Sequence, residues 1–230
     1  MKQAKAIGAI FAAGALYALA LRRAVLTWGA TSAEAAARLP GDELLQDADG
    51  VSTRAITIAA PASAVWPWLA QMGPAPRGGA YTYDWIENLL GLNMHSVERI
   101  LPEYQQPHIG DTIELGANRM VLAQVDPQQT LAWRSEDGNW IWAFSLERHG
   151  HSTRLISRNR FRLPSLGARI AMLPMEPASL VMERKMLHGI KERAEALSDP
   201  TRRQPSRSSP TARDAPAADT GLGPGRAVGR

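Results

Sequence analysis

Short intervals between strand-like segments are the feature of this chain that most constrains its fold. Between residues 109 and 161, segments rich in β-branched and aromatic residues alternate with turn formers such as Asp137-Gly138-Asn139. Parallel neighbouring strands need crossovers of about a dozen or more residues, and these intervals are shorter. The pattern therefore predicts an antiparallel sheet built from hairpins. Its strands are predicted at residues 109–115, 119–125, 130–134, 140–146 and 153–161.

The segment at 140–146 has two different faces under the two-residue period of a strand. One face carries Trp140, Trp142, Phe144 and Leu146. The other face carries Ile141, Ala143 and Ser145. We expect the first of these faces to be buried.

Helix signals precede this sheet. A strand predicted at 53–58 leads into a helix at 62–69, because Pro61 pre-sets the backbone angle of a first helical turn. Pro67 is expected to shorten or kink that helix. A second short helix is predicted at 82–90 and ends at Gly91.

A longer helix is predicted at 177–197, after a loop at 164–174. Pro177 suits its first position, and Asp199-Pro200 suits its end. Its apolar stripe, about 30 Å long, needs a surface to lie on, and the sheet is the natural one. The stripe consists of Leu180, Leu187, Ile190, Ala194 and Leu197. Gly189 inside this helix indicates either a close approach to the sheet or to a ligand, or simple tolerance.

The N-terminal end carries a membrane signal. Residues 6–21 are uncharged and apolar, with Lys2 and Lys5 before them and Arg22 and Arg23 after them. Sixteen residues span about 24 Å as a helix, which is short of a ~30 Å hydrocarbon core unless the flanking residues snorkel. We expect residues 1–23 to be an uncleaved single-pass anchor at the cell membrane. A cleaved signal segment and a surface-lying helix are the alternatives, and the balanced flanking charges favour neither orientation.

The anchor is followed by a connecting arm at residues 24–52. It contains a helical piece at 31–38 that Pro40-Gly41 ends, and Trp28 is expected at a membrane interface. The far end, residues 198–230, is rich in Pro, Arg, Ser, Ala and Gly and is predicted to be a disordered basic tail. The folded domain is thus expected at 53–197.

The basic character of the chain belongs to its ends. Residues 199–230 hold six Arg and three Asp, and residues 1–23 hold two Lys and two Arg, so residues 24–198 carry −3 of the whole-chain charge of +4. We therefore expect no nucleic-acid partner for the folded part.

The residue types exclude several chemistries. The chain has no cysteine, which removes disulfides, thiolate catalysis and cysteine-based zinc sites. Its five histidines include the pair His149 and His151 in a predicted turn, without a third ligand at useful spacing. No serine lies in a nucleophile elbow, and no glycine-rich phosphate loop follows a strand. We expect neither a metal nor a cofactor.

Two stretches carry a resemblance to a known superfamily. The first is 56–69, where a strand passes into the helix after Pro61; the second is 77–91, which contains the motif Tyr81-x-Tyr83-Asp84-Trp85-x-x-Asn88. Together they resemble the SRPBCC superfamily, whose members are START-like or similar to polyketide cyclases and dehydrases. The second stretch looks similar to a subgroup of small bacterial membrane-associated members, with Ala80 where an aromatic residue is expected.

The resemblance implies an α+β helix-grip fold, in which a bent antiparallel sheet wraps around a long C-terminal helix and encloses an apolar cavity. It implies binding of a hydrophobic small molecule, such as a lipid, an isoprenoid or a polyketide-like compound. The predicted ligand-binding residues are Tyr81, Tyr83, Asp84, Trp85, Glu87, Asn88, His95 and Trp142.

Two other functions stay open at this point. The first is a cyclase- or dehydratase-like enzyme, for which Asp84, Glu87, His95 and a tyrosine are the available acid–base groups. Asp84 and Glu87 share a helix face, but they also suit a helix cap or contacts with Arg77, Arg99 or a backbone N–H. The second is a membrane interaction protein whose cavity is vestigial and filled by tryptophans.

Overall fold

The computed structural model describes residues 20–199. The predicted anchor at 1–23 and the predicted disordered tail at 198–230 lie outside this range except at their inner ends. Within residues 20–199, every helix is too short or too polar to serve as a membrane span. The membrane assignment therefore stays a prediction.

A six-stranded antiparallel sheet forms the centre of the described chain, as the short intervals predict. Its strands are β1 Gly50–Ile58, β2 Thr112–Leu115, β3 Asn118–Asp126, β4 Thr130–Ser135, β5 Trp140–His149 and β6 Ser152–Phe161. Their order across the sheet is β1-β6-β5-β4-β3-β2, so the first strand pairs with the last. The β3–β4 register shifts between Leu122 and Gln124, and such bulges bend a sheet.

The helices are α1 Arg22–Leu26, α2 Ser32–Ala36, α3 Ala62–Ala70, α4 Asp84–Leu89 and α5 Leu166–Ser198, with 3-10 turns at Asp42–Leu45 and Pro102–Tyr104. The two short helices between β1 and β2 lie where the sequence places them. Helix α3 continues through Pro67 to Ala70, so this proline does not shorten it.

The long helix begins eleven residues earlier than position 177, so the predicted loop at 164–174 is wrong. The Ser165 side chain accepts a hydrogen bond from the Ala168 N–H and caps the helix there. Pro174 and Pro177 lie inside the helix, and Pro177 is not its first residue. The carbonyl groups that lose partners four residues earlier belong to Ile170 and Leu173, which are exposed residues.

The main core lies between one face of the sheet, which we call the inner face, and helices α3 and α5. Phe144, Leu131 and Trp133 from the strands pack in one cluster with Leu69 of α3 and Ile190 of α5. Trp140 and Trp142 share the strand face of Phe144 but are only partly buried. The inner face therefore changes from a packed core to open space along β5.

The outer face of the sheet is buried as well, which the sequence pattern did not predict. Ile141 and Ala143 of β5 pack against Leu45 of the connecting arm, and Ala55 and Ile156 pack against Leu39. The arm is thus a second layer over the sheet. Trp28 lies on the other side, against the main core, since its ring is 5.8 Å from the His188 ring of α5 and its carbonyl accepts from the Ala55 N–H of β1.

Candidate functional site

A cavity of about 410 Å³ lies between the inner face of the sheet and helix α5. Strands β1, β5 and β6 supply one side, α5 supplies the other, and the segment from Ala80 to Met94 closes an end. Its lining residues are Ser52, Ala80, Thr82, Glu87, Leu92, Met94, Leu115, Asn118, Trp140, Trp142, Asn159, Phe161, Met175, Ser179, Met182, Glu183 and Met186. We call this space the inner compartment.

A second space of about 670 Å³ continues along the first half of α5. It is bounded by α1 and by apolar side chains of α5 such as Ile170 and Leu173. Both spaces share the same lining at their junction, namely Ser52, Trp140, Phe161, Met175 and Ser179. We call the second space the outer compartment, and we call the two adjacent spaces together the groove.

The walls of the inner compartment are mainly aromatic rings and methionines. Trp140 and Trp142 stack with their ring centroids 6.3 Å apart, and their indole N–H groups donate to Asn159 and Ser157 at 2.9 Å and 3.2 Å. These bonds hold both rings against the sheet. Met182 and Met186 face them from α5, and methionine side chains adapt to ligands of irregular shape.

A buried ion pair lies behind this wall. The Arg54 guanidinium of β1, which is 0% exposed, donates to the Glu183 carboxylate of α5. The Ser157 hydroxyl and the Asn159 amide, both on β6, donate to the other oxygen of that carboxylate. Arg54 also donates to the Ser179 hydroxyl at 3.0 Å. The cluster joins the first strand, the last strand and the long helix.

The charge state of this cluster follows from its surroundings. Burial raises the pKa of the Glu183 carboxyl, whereas the adjacent Arg54 guanidinium and the Ser157 hydroxyl lower it. Because a buried arginine keeps its proton, Glu183 is the group that neutralises Arg54. The pair joins β1 to α5 and is not available for proton transfer.

Glu87 presents a different kind of carboxyl to the inner compartment. It is 7% exposed, and apart from each other, its Oε2 atom and the Thr82 hydroxyl have no hydrogen-bond partner among the described residues. Burial raises the pKa of Glu87, a side-chain hydrogen bond with Thr82 lowers it, and the charge of Asp84 raises it further. The ionised carboxylate is therefore held at a cost.

This cost predicts a stabilising substitution. When the pKa of a group is higher in the folded protein than in the unfolded chain, its protonated form contributes to stability. That contribution is fully present below the unfolded-state pKa and is lost as the pH rises through the folded-state pKa. Glu87→Gln, which keeps the shape without the charge, should raise stability at pH 7 by about 1 kcal/mol, or ~2–4 °C in Tm, and should change little at pH 4. Thermal unfolding at both pH values, with the exposed Glu147→Gln as control, measures this. A lower Tm for Glu87→Gln at pH 7 would contradict the assignment.

The structure brings two of the eight predicted ligand-binding residues, Glu87 and Trp142, to the inner compartment. Tyr81 is buried beside it but not in its lining, because its hydroxyl donates to the Trp68 carbonyl at 3.0 Å. The Arg193 guanidinium lies 4.6 Å from the centre of its ring. Burial raises the pKa of Tyr81 far above its usual value, so its hydroxyl stays protonated as a structural donor.

Asp84 and Asn88 hold a loop in place. Asp84 accepts hydrogen bonds from the Ser96 backbone N–H and hydroxyl at 2.7 and 2.6 Å, and it does not cap α4. Asn88 exchanges two bonds with the Met94 backbone at 2.9 and 2.6 Å. Both residues thereby fix the segment that closes one end of the inner compartment.

Tyr83, Trp85 and His95 are exposed, and none of them is among the lining residues of either compartment. Trp85 is 70% exposed. A ligand-binding role for these three residues stays a prediction that the groove does not support.

Sequence reasoning missed Arg54 and Glu183. Arg54 alternates with Ile56 and Ile58 on a strand and therefore occupies an inward position. Glu183 lies three residues after Leu180 and four before Leu187, within the apolar stripe of the helix. Opposite charges at core-facing positions of two elements are the signal that indicates a buried pair.

No protein-family model matches the chain, and no curated protein matches it. Solved structures do match it at low sequence identity. A hypothetical protein from Helicobacter pylori is 12% identical with a TM-score of 0.46, and the match covers 69% of this chain and 96% of that one. A Polyketide_cyc-like protein from Corynebacterium glutamicum is 17% identical with a TM-score of 0.32, at coverages of 64% and 88%. A Mesorhizobium loti protein is 12% identical with a TM-score of 0.39, at 63% and 96%.

The strand order within this chain decides the fold, since β1 pairs with β6 and the long C-terminal helix lies on the inner face. The chain has a helix-grip fold, the one that the resemblance at 56–69 and 77–91 implies. Its helix-grip architecture accounts for the groove, because a single helix across a six-stranded sheet leaves space at the ends of the contact. The membrane-associated subgroup remains a prediction from the motif at 81–88.

Proposed function

We propose that this helix-grip domain binds a hydrophobic small molecule non-covalently in the inner compartment. The observation that carries the proposal is the composition of the walls: tryptophans and methionines enclose about 410 Å³ that side chains do not fill. Ligand sites typically measure ~300–1,000 Å³ and are lined by apolar groups with few polar ones. A lipid, an isoprenoid or a polyketide-like compound has the matching chemistry.

Binding is better supported than catalysis. Of the acid–base groups available to an enzyme, Asp84 is held by Ser96, His95 is exposed and Tyr81 donates to a carbonyl. Only Glu87 reaches the inner compartment, and the second carboxyl there, Glu183, is paired with Arg54. A cyclase or dehydratase needs a matched acid and base at the reacting atoms, and this arrangement supplies one free group.

A vestigial cavity is also less well supported. Trp140 and Trp142 are the tryptophans nearest to the open space, and they line it instead of filling it. Their indole N–H groups are bound to the sheet, so the rings stay against the wall. A collapsed interior would have placed one of these rings in the space.

The test is photolabelling of the full-length protein in phosphatidylcholine nanodiscs, with a long-chain alcohol that carries a diazirine on its tail. We expect saturable labelling of peptides that contain Trp140, Trp142 or Met175–Met186. Trp142→Ala should lower the affinity about tenfold or more, because an aromatic wall of the compartment is lost. The matched control, Trp85→Ala, removes an exposed ring outside the groove and should leave the labelling unchanged.

Stability is checked by thermal unfolding, since Trp142 also packs against Phe144. Met182→Trp serves as a second variant, because it fills the space without removing the Trp142 ring, and it should also block labelling. Labelling that does not saturate, or that falls equally in Trp142→Ala and Trp85→Ala, would refute binding in the inner compartment.

A further inference from the structure

The first part of helix α5, residues 166–175, has an apolar surface that the rest of the described chain leaves exposed. The buried residues of α5 are Glu176 and others that follow it, so none of them lies in this part. A helix gains most of its stability by burying an apolar face, and exposed apolar patches mark interaction sites. The large apolar side chains here are between 37% and 74% exposed, and they are Leu166, Ile170, Leu173 and Met175.

Helices α1 and α5 lie side by side and run in the same direction. Arg22, at the start of α1, pairs with Glu176 at 2.8 Å. Just after the end of α1, the Trp28 ring contacts Arg184 and His188, which lie further along α5. Helix α1 therefore begins beside the point where the exposed part of α5 ends.

The sequence on both sides of this contact favours a lipid partner. The uncharged run at 6–21, which is predicted to enter a bilayer, ends directly before Arg22. The surface of that bilayer would thus lie at the start of α1, beside residues 166–175. The only charged residue of this part is Arg169, which pairs with Asp49. Apolar residues occupy most of its other positions instead of the single stripe that packs on a protein partner.

The charges near this surface have the sign that anionic lipids attract. Residues 1–33 hold two Lys and two Arg without any Asp or Glu, and residues 160–175 hold three Arg without any Asp or Glu. Arg23 and Arg162 of these stretches are exposed. Since a basic residue near an anionic bilayer contributes about 1 kcal/mol to binding, the apolar surface and its basic flanks suit the same partner.

We propose that residues 166–175 of α5 lie in the interface of a lipid bilayer, as a second contact of the protein beside the predicted anchor. Helices of this kind lie in the plane of the interface, with their apolar side chains about 5–10 Å into the boundary between headgroups and acyl chains. The outer compartment, which Ile170 and Leu173 bound, then opens towards the lipid. This contact does not require a ligand in the inner compartment.

The experiment uses the absence of cysteine from the chain, which allows one fluorophore to be attached at a chosen position. Full-length Ile170→Cys and Leu173→Cys carry the polarity-sensitive fluorophore NBD in nanodiscs of phosphatidylcholine and phosphatidylglycerol. We expect blue-shifted emission, and doxyl-labelled lipid should remove about half or more of it, because the labels reach the ~5–10 Å depth of an interfacial helix. The matched control is Ile109→Cys, an exposed isoleucine outside α5, whose label should not be quenched.

A second variant tests the apolar face itself. Leu166→Asp/Ile170→Asp places two acidic groups on exposed positions of this face, so the fold should persist, and circular dichroism checks this. The label at Leu173→Cys should then lose most of its quenching, because a charged group in the interface is costly.

Three results would overturn the proposal. Blue-shifted emission without quenching would mean that protein covers the face, either residues 6–21 or a second copy. Quenching at a label on Leu89→Cys but not on Ile170→Cys would place the lipid contact on α4, which also has exposed apolar side chains. Unchanged quenching in the Asp variant would show that the face is not what holds the label in the lipid. The labels report only the lipid contact, so failure of the photolabelling would refute the proposed ligand binding and leave this contact unaffected.

Discussion

Glu183→Ala is expected to lower the free energy of unfolding by about 3–5 kcal/mol, one of the two largest effects of any single change considered for this protein. The substitution leaves the Arg54 guanidinium, which is 0% exposed, without its counter-charge. It also removes the acceptor of the Ser157 and Asn159 side chains. Since these groups lie on β1, β6 and α5, the loss affects the contact between the sheet and the long helix. Urea unfolding of the full-length protein measures it.

The matched control is Glu192→Ala, the same change at an exposed position of the same helix, which should cost less than about 0.5 kcal/mol. The double variant Arg54→Met/Glu183→Leu tests the cause, because an apolar pair of similar volume removes both charges together. It should be clearly more stable than Glu183→Ala. Equal losses in the single and double variants would show that the volume of the side chains matters here and not the unpaired charge.

Arg158→Met is expected to release the connecting arm from the outer face of the sheet, with a loss of about 3 kcal/mol or more. The Arg158 guanidinium is buried and donates to the Asp42 carboxylate at 2.7 Å. It also donates to the Thr53 hydroxyl and to three arm carbonyls, those of Glu34, Ala35 and Ala37. Methionine keeps much of the volume but satisfies none of these groups.

Two measurements check this result. Urea unfolding gives the loss of stability, and limited trypsin digestion followed by mass spectrometry reports cleavage after Arg38, which should become faster as the arm opens locally. Arg148→Met, at an exposed position of β5, is the control and should change neither readout. An arm that stays protected at Arg38 in Arg158→Met would mean that the apolar contacts of Leu39 and Leu45 suffice to hold it.

Local patterns identified most of the strands. The predicted segments at 119–125, 130–134, 140–146 and 153–161 correspond to β3 to β6 with small differences at their ends. The first segment begins later than predicted, because residues 108–111 form a turn in which the Asp111 carboxylate accepts from the His108 N–H. Strand identity depends on side-chain alternation and turn residues, and both are properties of neighbours in the chain.

The beginning of α5 was decided by contacts that the pattern does not contain. Prolines at 174 and 177 indicated a loop and a helix start, respectively. In the folded protein, the Glu176 side chain binds Arg22 of α1 and the Glu176 carbonyl accepts from Arg54. Partners that lie more than a hundred residues away hold this part of the helix, and no local signal reports them.

The fold explains why a glycine, Gly189, lies inside helix α5. A Cβ atom at this position would lie 2.5 Å from the Tyr81 carbonyl oxygen, so the helix needs a residue without a side chain there. The sequence indicated a close approach to the sheet or to a ligand, or simple tolerance. The structure selects the close approach, and the neighbour is the segment before α4, not the sheet.

The motif at 81–88 lies at the end of the inner compartment, but none of its specified residues lines the cavity. Tyr81, Asp84 and Asn88 shape the end of the inner compartment through bonds to Trp68, Ser96 and Met94. Within 81–88, Thr82 and Glu87 line the cavity, and both occupy unspecified positions of the motif. The sequence does not tell whether an aromatic or acidic residue contacts a ligand or a neighbouring loop. That depends on which face of the short helix is directed towards the cavity.

The sequence by itself determined the strand pattern, the antiparallel sheet, the long apolar stripe and the lack of cysteine chemistry, because each of these follows from residue types and short spacings. Only the tertiary structure decided that Arg154, Arg158 and Arg160, which alternate along β6 as a solvent-facing row would, bind the connecting arm. It alone paired Arg54 with Glu183 across 129 residues. Whether a charged side chain meets water, a carbonyl or an opposite charge depends on which distant segments the chain brings together, and that information is not local.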